Sequence, residues 1–106
     1  MEPQSKELPL LGRNGPQWVP VSDVLFFSSN SKMVVHTNQG LFAVPTSLND
    51  YLVILQSMNF DKLDKSNLVN LSNIADYDWR VYHAIFGNGE SCHVSRRNRI
   101  KMQNLF

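Results

Sequence analysis

Apolar residues in this chain fall mostly in short runs, separated by clusters of Gly, Asn, Ser and Asp, which is the pattern of short strands joined by turns. Leu8, Leu10 and Leu11 predict a short edge strand ahead of a turn at Gly15-Pro16. Trp18 to Val21 and Val24 to Phe27 predict further strands, because aromatic and β-branched side chains fit a pleated, half-buried surface. Phe26 and Phe27 are consecutive, so at least one of them must face a core. Ser28 to Lys32 is a polar connection. Met33 to Thr37 and Leu41 to Val44 flank Asn38-Gln39-Gly40, a hairpin whose glycine supplies positive φ.

The period changes at Ser47. Leu48, Tyr51, Leu52 and Leu55 share one helical face, Ser47 can cap the helix, and Asp50 three residues later makes a capping-box variant. Asn59 ends the segment. From Phe60 to Arg80 the pattern is mixed, with Leu63, Leu68, Val69, Leu71 and Ile74 anchoring short strands and a tight turn. Val81 to Phe86 and Glu90 to Val94 predict two strands around Gly87-Asn88-Gly89. Ser95 then reads as the N-cap of a final helix, with Arg96 and Arg97 in its first turn and Met102, Leu105 and Phe106 on one face. The count predicts a mostly β domain over residues 8–106, after a flexible linker over residues 1–7.

Charge sharpens this picture. The net charge of the whole chain is only +1, yet residues 91–106 carry Arg96, Arg97, Arg99 and Lys101 with no acid, leaving the remainder at −3. Cations at the positive end of a helix dipole make sense if an anion docks there, and two guanidinium forks suit phosphate or a base edge. A solvated basic face is the simpler alternative. No apolar run is long enough to span a bilayer. The N-terminus lacks the layout of a secretion signal, and the single cysteine, Cys92, fits a reducing cytoplasm.

Catalytic chemistry is poorly represented. His36, His83 and His93 are scattered without metal-ligand spacing, so neither a metal nor a cofactor is expected. Cys92 and His93 are adjacent in a predicted strand and point to opposite faces, which places the thiol in a core. Asp61 with Asp64, and Asp76 with Asp78, read as solvated turn charge. Trp18 and Trp79 could be stacking platforms for bases, but their apolar strand context predicts core or rim packing. If residues 62–66 form a strand, Lys62 and Ser66 share one face, with Leu63 and Lys65 on the other. These observations point away from an enzyme.

Four ordered segments resemble the LytTR DNA-binding domain of bacterial transcription regulators, over roughly residues 17–106. They are Val21-Ser22-Asp23-Val24-Leu25-Phe26-Phe27; the hairpin from Val34 through Gly40 with Ser47-Leu48 after it; Lys65-Ser66-Asn67-Leu68-Val69-Asn70 with Ile74 following; and Val94-Ser95-Arg96-Arg97. The resemblance implies elongated antiparallel β-sheets with short helices. It also implies sequence-specific binding of double-stranded promoter DNA through loops that enter two successive major grooves and touch the minor groove between them. Carried over by motif position, Asn30, Ser31 and Lys32 enter one major groove and Arg97 reads bases in the next. Lys65 faces the minor groove, while Ser66, Arg96, Asn98 and Lys101 hold phosphates. Binding to direct repeats and a receiver domain, in cis or as a partner protein, are further implications.

The chain departs from the family pattern at two places. Asp64 stands where histidine is usual, setting an acid towards phosphate, and Asn67 replaces a tyrosine, removing a large packing group. The modest net charge and Asp64 also suit a protein-interaction adaptor that does not bind DNA, which is the alternative reading.

Overall fold

The computed structural model describes residues 6–29, 32–44 and 47–106. Seven strands, β1 (Glu7–Gly12), β2 (Gly15–Pro20), β3 (Val24–Ser28), β4 (Val34–Thr37), β5 (Gly40–Ala43), β6 (Phe60–Asp61) and β7 (Asn67–Asn70), form one antiparallel sheet in the order β2-β1-β5-β4-β3-β7-β6. Three more, β8 (Ile74–Asp78), β9 (His83–Phe86) and β10 (Ser91–His93), form a second antiparallel sheet in the order β10-β9-β8. Two short helices, α1 (Leu48–Leu55) and α2 (Arg99–Leu105), complete a mostly β fold. The first hairpin places β2 at the sheet edge, so the Leu8–Leu11 strand is interior and not the edge that its sequence suggested.

Strand β3 holds the layers together. It pairs with β4 on one side and β7 on the other, and its run Val24-Leu25-Phe26-Phe27 is buried throughout. An alternating strand would send every second residue to each face. Here the register with β4 shifts between Val24 and Phe26, a bulge that rotates the strand. As a result Val24 and Phe27 enter one core while Leu25 and Phe26 enter another. Both phenylalanines are therefore core residues.

The first core lies beneath α1, whose Leu48, Tyr51 and Leu55 pack against Phe27, Phe60 and Leu68. Ser47 caps this helix, its hydroxyl accepting the Asp50 N–H at 3.4 Å, and Asn59 leaves the following 3-10 turn with φ of 67°, as the sequence indicated. The second core lies between the two sheets, where Phe26, Leu63 and Val69 meet Ala84, Phe86, Val94 and Met102 of α2. Leu105 and Phe106 do not join Met102 in the core and are exposed. The tryptophans are likewise not core residues: Trp18 is 64% exposed and Trp79 is 50% exposed, resting edge-on against Tyr77.

Two asparagines pin the sheet junction. Asn70 Nδ2 donates to the carbonyls of Val24 and Val21 at 3.0 and 3.4 Å, and Asn73 Nδ2 donates to those of Ser22 and Val24 at 2.9 and 2.8 Å. Buried main-chain acceptors left bare would cost about 1–3 kcal/mol each. The Val21 carbonyl also accepts the Val24 N–H that closes the 3-10 turn at Val21–Asp23, so the asparagines tie β7 and the start of β8 to that turn.

Candidate nucleic-acid interface

Ser29 just after β3, the connection from β6 to β7 and the connection from β10 to α2 lie together. Main-chain hydrogen bonds join them. Ser29 N–H donates to the Ser66 carbonyl at 2.9 Å, and Ser95 N–H donates to the Leu63 carbonyl at 2.7 Å. The middle connection is a loop and not the strand considered for residues 62–66. It cannot pair as a strand because its polar groups are spent locally. Asp64 Oδ1 accepts the Lys65 N–H at 2.7 Å, and the Asn67 side chain accepts the N–H groups of Leu63 and Asp64 at 3.0 and 2.9 Å. In each bond a short polar side chain stands in for a ladder partner of a nearby backbone N–H.

The last connection also differs from the sequence reading. Arg96–Asn98 form a 3-10 turn, and α2 begins only at Arg99. Ser95 does not cap a free N–H; its hydroxyl accepts the Asn98 side-chain amide at 2.8 Å. Arg96 and Arg97 are thus presented by a turn, so it is their guanidinium charge, and not a helix terminus, that faces outward. Both are exposed, and neither has a hydrogen-bond or ion-pair partner among the described residues.

The four clustered cations separate into distinct roles. Arg99 lies flat on the Tyr82 ring, its guanidinium carbon 3.3 Å from the ring centroid, a packing contact within the fold. Lys101 Nζ makes an ion pair with Asp61 Oδ2 at 2.7 Å and donates to the Lys62 carbonyl at 3.3 Å, clamping α2 to the β6–β7 connection. Only Arg96 and Arg97 remain uncommitted among the four. They line a cleft of about 800 Å³ together with Lys62, Lys65, Asn98 and Lys101. Asp61 and Asp64 also line it, the first neutralised by Lys101.

Of the residues singled out in the sequence, Lys65, Arg96, Arg97, Asn98 and Lys101 come together in this cleft. Ser66 lies on the opposite side of the β6–β7 loop, in a second groove of about 450 Å³. Lys32 is exposed after β3, whereas Asn30 and Ser31 lie outside the described residues, as do residues 1–5 of the linker. The sequence reading missed Asn67, taken only as a lost packing group. It is buried, and its Nδ2 also donates to the His93 carbonyl at 2.9 Å. The signal was present in Asp64-Lys65-Ser66-Asn67, a cluster rich in residues that form side-chain turns.

Cys92 faces the second core as a buried free cysteine. Burial pushes its thiol up to about 12, with the Asp64 charge adding to the effect. Across the sheets, His36 Nδ1 donates to Glu90 Oε1 at 3.2 Å while its ring stacks on Phe26 with centroids 4.1 Å apart. Partial burial works against the Glu90 carboxylate, but hydrogen bonds from Asn88 and His36, with the His36 charge, hold it below the usual range.

A mostly β fold that presents uncommitted guanidinium groups on clustered connections suits the binding of a polyanion such as nucleic acid. The chain belongs to the LytTR DNA-binding domain family, which matches residues 17–106. Family membership makes it a DNA-binding domain of a transcription regulator, without a catalytic step. Among solved structures, the fold is similar to the LytTR DNA-binding domain assigned to a methyl-accepting/DNA response regulator from Bacillus cereus, with a TM-score of 0.80, 23% identity and 97% of each chain covered. No match is found among curated proteins. No helix among the described residues is long and apolar enough to cross a membrane.

Proposed function

We propose that this chain is the output domain of a bacterial response regulator, acting in the cytoplasm and reading promoter duplex through its three clustered connections. The observation that carries the reading is Arg97, exposed and free of carboxylate partners among the described residues, in one cleft with Lys65 and Arg96. Arg97 reads a guanine edge in a major groove, where its fork matches O6 and N7. Lys65 follows the backbone at the intervening minor groove, and Arg96 and Asn98 hold phosphates. Asn30, Ser31 and Lys32 serve the neighbouring major groove. Ser66 adds a phosphate contact beside them.

Lys101 enters this reading differently from the other cations. Its ammonium is already bonded to Asp61, so its main contribution is to remove an acid from the cleft. Asp64 is held by the Lys65 N–H and remains the one acid in the cleft without a cation partner among the described residues.

The experiment is selection of bound duplexes from a random pool, with the chain at moderate salt. The reading expects enriched sequences with two fixed blocks centred about 10 base pairs apart, the spacing of successive major grooves on one face. Repetition of the block pair in one direction would show binding to direct repeats. A pool that stays random overturns sequence-specific reading.

A further inference from the structure

We infer that the DNA-contacting surface continues past the β6–β7 loop onto His83 and His93, which hold one backbone phosphate between them when protonated, so that duplex binding takes up protons. This rests on the DNA-binding reading and adds a contact to it.

The second groove is separated from the arginine cleft only by the β6–β7 loop, and Asp64 lines both. Ser28, Ser66, His83, Ser91 and His93 contribute to its walls, a polar lining beside the connections already assigned to DNA. His93 immediately precedes Val94-Ser95, which lead into the turn that carries Arg96 and Arg97.

His83 and His93 sit directly opposite one another in the β9–β10 register, with ring centroids 5.8 Å apart. A phosphodiester fits between them: its two non-bridging oxygens accept one N–H from each ring, and each bond is charge-assisted when the ring is protonated. The rings are available for this. The His83 ring has only the Ser91 hydroxyl at 3.4 Å, and the His93 ring has no hydrogen-bond partner among the described residues. His36, in the same groove, is committed to Glu90 and Ser28 and is part of the scaffold.

The neighbouring charges act in both directions. Asp78 lies opposite His83 on β8 and is occupied by Arg80. Asp64 faces the groove from the β6–β7 loop, Glu90 is held by His36, and Arg96 and Arg97 follow β10. Histidine is the side chain whose charge changes between about pH 5 and 8, so the added contact appears as pH falls through that range.

A phosphate contact is independent of sequence, so a labelled duplex of arbitrary sequence reports it. Its affinity for the whole chain is measured by fluorescence anisotropy over a salt series at pH 6 and pH 8, with a chelator present. The wild type should bind more tightly at pH 6, with a salt slope steeper by about one. The double variant His83→Gln/His93→Gln should match the wild type at pH 8 and show no steepening at pH 6. Equal wild-type slopes at the two pH values, or steepening that survives in the double variant, overturn the inference while leaving DNA binding intact. Absence of binding at both pH values overturns the DNA reading and this inference together.

Discussion

The side chain of Asn67 joins two segments through three hydrogen bonds: its oxygen accepts the N–H groups of Leu63 and Asp64, and its nitrogen donates to the carbonyl of His93. One amide therefore fixes both the loop that carries Lys65 and the strand that leads to Arg96 and Arg97. Asn67→Leu keeps the volume but strands these main-chain groups. Unfolding in urea should show a loss of about 2–4 kcal/mol, and duplex affinity should fall although residue 67 is buried away from DNA. Unchanged stability would mean that the loop holds its shape without this amide.

Arg97 and Lys65 should differ in kind. If Arg97 makes the proposed bidentate base contact, worth about 1–3 kcal/mol, Arg97→Ala should lower affinity for the selected site roughly 5- to 150-fold while arbitrary duplex is affected much less. Lys65→Ala should weaken both duplexes to a similar degree and lower the salt slope by about one. Anisotropy against the two duplexes separates these outcomes. Equal loss on both for Arg97→Ala would reassign that residue to the backbone.

Lys101 provides a test of charge masking. Its pair with Asp61 is partly exposed, so Lys101→Ala should cost no more than about 1 kcal/mol of stability. Duplex binding should nonetheless weaken, because the Asp61 carboxylate is left bare in the cleft. Adding Asp61→Asn should restore most of the lost affinity. If the double variant binds as weakly as the single one, Lys101 touches phosphate itself.

The buried Cys92 thiol should be almost unreactive in the folded protein. With the group raised to about 12, its thiolate fraction at pH 8 is about three orders of magnitude below that of a free cysteine, even before steric exclusion is counted. Iodoacetamide labelling followed by mass spectrometry should therefore proceed only after unfolding. The sign of the linkage follows: the raised folded value leaves stability intact below the unfolded value near pH 8.5, and stability falls as pH rises beyond it. Cys92→Val should remove that alkaline loss.

Much of the secondary structure is written locally. The Asn38-Gln39-Gly40 hairpin, the Ser47 cap, the Asn59 stop and the burial of Cys92 opposite an exposed His93 all follow from neighbouring residues. The ordered motifs that mark the family were legible for the same reason, since each occupies a few consecutive positions.

The sequence by itself determined most of the element types, the family and the position of its cation cluster, because periodicity, turn chemistry and short motifs act over a few residues. Only the tertiary structure decided which of those cations are available. Arg99 is absorbed by Tyr82 and Lys101 by Asp61, partners 17 and 40 residues away, while Arg96 and Arg97 remain uncommitted among the described residues. Asn67 likewise acquires its role from His93, and β3 acquires two cores from a bulge against β4. Pairings of that kind depend on where distant segments meet, which local propensity does not encode.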